Sequence, residues 1–168
     1  VLSVPKARGR ARLAAAGVSV PPGRLFRHPD EVTAQAAAEL PFPLIVKPTA
    51  EHGSLGIGPQ AVVADEVELR ERVRYVTERY RQAALVEAFI PGRELAIALW
   101  GDPPQMLPPA EADFSAFPDP YTRIVSFAAK WQSEVFEYWN MFFLCSVSID
   151  VSLVFCLEEI GRRVWQIV

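Results

Sequence analysis

Residues 41–58 read Pro41-Phe42-Pro43-Leu44-Ile45-Val46-Lys47-Pro48-Thr49-Ala50-Glu51-His52-Gly53-Ser54-Leu55-Gly56-Ile57-Gly58. The compact apolar run Leu44-Ile45-Val46, held between prolines, predicts a buried strand that delivers Lys47 at its end. The loop that follows carries Gly53, Gly56 and Gly58. Glycine lets backbone N–H groups come close to phosphate oxygens because no Cβ intervenes. A lysine on a rigid strand edge adds a positive point charge beside them. The order of these parts is informative. A Walker loop ends with its lysine, and a protein kinase also places its glycine loop before the lysine. Here the lysine comes first, so both are poor matches. Taken alone, the stretch is equally well read as an exposed lysine beside an ordinary turn.

C-terminal to this stretch, Gln60–Val63 is predicted to be a strand. A helix is predicted over Asp65–Tyr80, where Leu69, Val73, Val76 and Tyr80 recur at helical spacing and charged residues take mainly the other faces. Two strands, Ala84–Ala88 and Glu94–Trp100, are then separated by Phe89-Ile90-Pro91-Gly92-Arg93. An adenine ring fits such a connection: backbone groups near Phe89 and Ile90 can read its polar edge, and apolar side chains can cover its faces. Glu94 could accept hydrogen bonds from two ribose hydroxyls. The plainer alternative is a hairpin with solvent-facing glutamates. The turn Gly101-Asp102-Pro103-Pro104 leads to Gln105–Leu107. Pro108–Pro120, with four prolines, reads as an irregular surface loop, and Arg123–Phe127 as a further strand.

Upstream, Lys6–Ala16 is rich in helix formers, with Gly17 placed to end the helix in a left-handed cap. Val18–Val20 reads as a short extended piece halted by Pro21-Pro22-Gly23. Asp30 is expected to cap a helix over Glu31–Glu39 that breaks before Pro41. Helices alternate with short adjacent strands and turn-rich returns. That pattern predicts an α+β fold of two small lobes with mainly antiparallel sheets, rather than a doubly wound parallel sheet.

Taken together, KARGRARLAAAGVSVP, PFPLIVKPTAEHGSLGIG, ALVEAFIPGRELAIAL, LPPAEADF and FAAKW resemble, in order and spacing, the ATP-grasp superfamily. The resemblance is to its D-alanine–D-alanine ligase-like branch of carboxylate–amine ligases, and it runs from Lys6 to Trp131. It implies two lobes around a nucleotide cleft: 1–88 with Lys47 and the glycine loop, and 89–168 as a partial second lobe. It also implies roles. Lys6 and Lys47 would reach the phosphates, although Pro5 stands where an acidic residue is usual. Gly53, Ser54 and Gly56 would belong to the loop over the triphosphate. Glu87, Phe89 and Ile90 would contact adenine, Glu94 the ribose, and Lys130 the phosphate tail from the opposite side. The implied reaction passes the ATP γ-phosphoryl group to a small carboxylate substrate, and an amine then attacks the acyl phosphate.

Such ligases use Mg²⁺, held by an Arg-x-Asp strand and a Glu-x-Asn pair. Neither pattern occurs between Trp131 and Val168. The adjacent pair Glu158-Glu159 points in diverging directions on a predicted helix and is a poor substitute, so no metal ligand is assigned. The expectation is a chain that binds ATP but does not turn over alone. Alternatives are an ATP-grasp module of another substrate class, or a degenerate association domain. In the second case the apolar run from Phe136 to Phe155 would mediate self-association. Met141–Leu157 is mostly apolar, but Asp150 near its middle and its shortness argue against a membrane helix.

Composition agrees with this reading. The chain has 168 residues, half of them apolar (51%), and a net charge of −3. It can build a core, and it is not a strongly basic nucleic-acid binder. Two cysteines, Cys145 and Cys156, are too few for a disulfide scaffold and fit a reducing, cytoplasmic setting. They are expected to be buried thiols. With only His28 and His52 beside them, a zinc site is not expected. No charged segment followed by an apolar core marks a signal peptide. The first residue, Val1, suggests a piece of a longer protein.

Overall fold

Alternation along the strand that carries Lys47 decides which face of the first sheet is core and which is site. In the computed structural model, which describes residues 5–145 and 149–166, four strands form an antiparallel sheet. They are β1 (Gly23–Phe26), β2 (Leu44–Pro48), β3 (Val62–Val63) and β4 (Ala84–Ala88), in the order β1-β4-β2-β3. Successive strand side chains point to opposite faces. Phe26, Leu44, Val46, Ala84 and Val86 therefore pack on one side with Leu69, Val73 and Val76 of α3 (Glu66–Tyr80), all fully buried. Each of the Leu, Val and Phe side chains among them contributes about 1.5–3 kcal/mol on burial. The opposite face carries Ile45, Lys47, Leu85 and Glu87.

Helix α3 begins as its sequence demands. The Asp65 carboxylate accepts from the Glu68 N–H at 2.9 Å, and the Glu68 side chain accepts from the Ala64 N–H at 2.7 Å, a reciprocal cap. Helix α1 (Lys6–Ala15) ends before Gly17 at φ +75°. Between them the structure departs from expectation twice. Arg24–Phe26, with Gly23, form β1 after the Pro21-Pro22 break, not before it. Asp30 caps no α-helix: it lies in a 3-10 turn over Pro29–Glu31, and α2 (Ala34–Ala38) starts instead at Thr33, whose hydroxyl accepts from the Ala36 N–H at 3.2 Å.

The second half is thinner. The predicted strand Glu94–Trp100 is broken into β5 (Leu95–Ala96) and β6 (Leu99–Trp100); β6 pairs with β7 (Gln105–Met106) in a separate hairpin. Ala110–Asp113, placed by sequence in a surface loop, is β8, the central strand of the sheet β5-β8-β9, where β9 is Phe142–Cys145. The prolines flank β8 without entering it, so its ladder N–H groups are intact. Arg123–Phe127, expected as a strand, is a connection into α4 (Phe127–Trp131), whose N-cap Ser126 accepts from the Ala129 N–H at 3.0 Å. A small core of Ala112, Phe114, Phe117, Ala129 and Met141 joins these elements.

The apolar tail resolves into α5 (Phe136–Asn140), β9 and α6 (Val151–Trp165). Residues 146–148 of that tail, and 167–168 at the end of the chain, lie outside the described residues. Among the described residues no helix is long and apolar enough to cross a membrane. Cys145 and Cys156 are exposed, not buried as expected, because β9 is an edge strand with no second layer over it and Cys156 is on the solvent side of α6.

Candidate functional site

The site face of the first sheet opens into a cleft of about 450 Å³. Lys47 enters it from β2, Ser54 from the glycine loop, and Phe89, Ile90 and Glu94 from the crossover after β4. Lys130 enters from α4 on the opposite side. Six of the residues singled out from sequence therefore line one cavity. Arg93, Arg123, Ile124 and Val125 line it too and were not expected there. Arg93 belongs to the predicted crossover, where no role was assigned to it; the other three were read as part of a strand, which would not have turned this run of residues toward the cleft.

The glycine loop is fastened across that cleft. Ser54, a non-glycine at φ +63°, adopts a backbone conformation that costs an L-residue about 1–2 kcal/mol. Its hydroxyl donates to the Val125 carbonyl at 2.7 Å, an offsetting contact. The Trp131 indole N–H donates to the Gly53 carbonyl at 2.8 Å, and the Phe127 N–H to Ile57 at 2.9 Å. Gly53 and Gly56 do not themselves line the cleft. Gly56, at φ +77°, packs so tightly that a Cβ would meet Pro48 Cγ at 2.7 Å and the Tyr80 ring at 3.0 Å, and its carbonyl accepts from Arg72 Nη2 at 2.5 Å. It shapes the loop from behind.

Lys6 and Glu87 also lie outside the lining. Lys6 Nζ donates to the Pro48 carbonyl at 3.1 Å and to that of Glu51, so it ties α1 to the root of the glycine loop. Burial, and then the neighbouring charge of Lys47, hold its ammonium below the usual lysine range. Glu87 is nearly buried beneath the cleft and accepts from Lys47 Nζ at 3.0 Å. The two sit diagonally on one face, since Lys47 pairs with Leu85 and Ile45 with Glu87. Glu94 is exposed at the cleft's rim, and desolvation raises its carboxyl above the ordinary range against the pull of Lys130 and Lys47. Phe89 is half-buried against the Ile45–Ala61–Ile124 cluster, whereas Ile90 is 68% exposed.

A cleft with four cationic side chains, a folded glycine loop and a polar-edged apolar crossover between two antiparallel α+β layers is that of an ATP-grasp ligase fold. The VanG D-Ala:D-Ser ligase of Enterococcus faecalis superposes with a TM-score of 0.72 over 99% of this chain and 45% of its own, at 22% identity. The D-alanine–D-alanine ligase of Bacillus anthracis, solved in complex with ATP, gives 0.69 over 99% and 46%, at 15% identity. In sequence, residues 14–168 match the family described as the D-Ala D-Ala ligase C-terminus. The chain belongs to that family. The D-alanine–D-alanine ligase of Gluconobacter oxydans is 39% identical over 104 residues, 60% of this chain and 31% of that enzyme, so the chain spans about a third of this curated relative's length. The family match also corrects the extent of the resemblance: it runs through the apolar tail to residue 168 rather than stopping at Trp131.

The described residues of the cleft do not fit Mg²⁺. Among the described residues no group of three or more His, Cys, Asp or Glu is close enough to hold a metal ion. The only carboxylate lining the cleft, among the described residues, is Glu94, which faces Lys47 and Lys130. Divalent magnesium needs several oxygen ligands, and a carboxylate already balanced by ammonium groups does not supply them.

Proposed function

We propose that this chain is the ATP-binding portion of a carboxylate–amine ligase of the D-alanine–D-alanine ligase type. The observation that carries this reading is the convergence of Lys47, Ser54, Phe89, Glu94 and Lys130 on one cleft from four separate segments of the chain. In this reading the crossover at Phe89–Ile90 takes the adenine and Glu94 the ribose hydroxyls. Lys47 and Lys130 flank the phosphates, with the loop at Gly53–Gly56 above them and Lys6 holding that loop's root. Phosphoryl transfer depends mainly on positioning and on charge neutralisation, and these are the tasks the side chains can perform. The parent reaction moves the γ-phosphoryl group to a carboxylate oxygen. An amine nitrogen then attacks the acyl phosphate carbonyl, loses its proton, and expels phosphate as the C–N bond forms. No step through a metal is assigned to this chain, and it is expected to bind nucleotide with little turnover by itself.

Isothermal titration calorimetry with ADP and ATP tests the reading. Saturable binding is expected, weakened at least about tenfold by Lys47→Ala through loss of a charge-assisted contact. A folded sample that takes up neither nucleotide contradicts it. One observation favours a second, association role as well: all four residues of the edge strand β9 are exposed, and unprotected edges template pairing with other chains. Light scattering decides this, since a monodisperse monomer would exclude it.

A further inference from the structure

The ion pair beneath the cleft has three members. Glu87 presents Oε2 to Lys47 Nζ at 3.0 Å and Oε1 to Arg10 Nε at 3.2 Å. The Arg10 contact is charge against charge without hydrogen-bond alignment at Nε. Arg10 Nη2 is at the same time fixed to the Pro21 carbonyl. Arg10 sits one helical turn after Lys6 on α1, does not line the cleft, and was not among the residues singled out from sequence. The Glu87 side chain is only 10% exposed.

A buried carboxylate stripped of its last cation is strongly destabilised, because its desolvation is then uncompensated. If Lys47 were Glu87's sole partner, turning its ammonium toward a bound phosphate would incur that cost. With Arg10 anchored on the other oxygen, Glu87 keeps a counter-charge when Lys47 leaves. Arg10 cannot follow Lys47 upward, because its other arm is held by Pro21. We propose that Arg10 is a positioning residue that holds Glu87 so that Lys47 is shared, not captive, and can exchange its carboxylate for a phosphate. This inference rests on the nucleotide reading of the cleft and adds to it a device for releasing the lysine.

The test is a double-mutant cycle with tripolyphosphate, a probe that carries the phosphates without the base, measured by calorimetry on the full 168-residue chain. Arg10→Gln is expected to weaken binding about fivefold or more, because Lys47 is then Glu87's only partner. Glu87→Gln is expected to tighten it about threefold or more by releasing Lys47. In the Glu87→Gln background, Arg10→Gln should change affinity less than about twofold, since there is no carboxylate left to restrain; coupling of this size is usual for contacting groups. Arg10→Lys, which keeps a cation beside Glu87, should recover most of the affinity. Equal losses from Arg10→Gln in both backgrounds would overturn the inference while leaving nucleotide binding intact. So would weaker or unchanged binding by Glu87→Gln, which settles the matter even if Arg10→Gln does not fold. No tripolyphosphate binding together with no ADP binding by the unmodified chain would overturn this inference and the nucleotide reading alike.

Discussion

The first sheet buries Leu44, Val46 and Val86 completely against α3, whereas the second leaves all four residues of β9 in solvent. Both sheets are antiparallel, but among the described residues the four-stranded first sheet has a long amphipathic helix laid across its non-site face and the three-stranded second does not. The second packs through Ala112, Phe114, Phe117, Ala129 and Met141, a cluster in which two of five members are alanines. The contrast teaches where stability and chemistry lie in this chain. The rigid sheet fixes Lys47, and the thinner half supplies Glu94, Lys130 and the clasp on the glycine loop.

This comparison can be broken by mutation. Its largest expected effect is in the first sheet. Leu69→Ala should cost about 2–5 kcal/mol of unfolding free energy in denaturant titration, and a cost below about 1 kcal/mol would mean that α3 does not hold that core. Next is the clasp between the halves. Trp131→Phe keeps the aromatic surface but removes the donor to the Gly53 carbonyl. It should cost about 0.5–1.5 kcal/mol and raise backbone hydrogen exchange near residues 53–57.

A smaller effect, of opposite sign, is expected at the rim. The folded chain holds Glu94's proton more tightly than the unfolded chain does, because desolvation raises its carboxyl above the ordinary value of 4.5. That contribution is present at acid pH and is lost as pH rises through the raised value. Glu94→Gln should therefore be more stable than the parent at neutral pH, with the difference shrinking on acidification. Denaturation at several pH values measures this, and a variant less stable at neutral pH contradicts it. The smallest effect belongs to the edge strand: Phe143→Thr, at a 44% exposed position, should change stability by no more than about 0.5 kcal/mol.

What could be read from sequence follows the same division. The apolar run at Leu44–Val46, the helical spacing of Leu69, Val73 and Val76, and the strand at Ala84–Ala88 are local signals, and local packing honours them. Residue 47 and the 89–94 crossover were legible because each stands at the end of such a strand. Strand β8 was hidden by the prolines on either side of it, which punctuate the chain without interrupting the ladder. The tail's apolar character was plain, but whether β9 would find a neighbour depended on Ala110–Asp113, some thirty residues away and itself misread. The pairing of Arg10 with Glu87 has no local signal at all. It arises only when β1 places Pro21 and Gly23 beside β4 and brings α1 over the same face.

Hydrogen–deuterium exchange with and without ADP tests the central claim most directly. Simultaneous protection is expected of three separated stretches, at the glycine loop around 53–57, at the crossover 89–94, and at the turn of α4 that carries Lys130. Protection confined to one of them, or appearing only along β9 and α6, would contradict it.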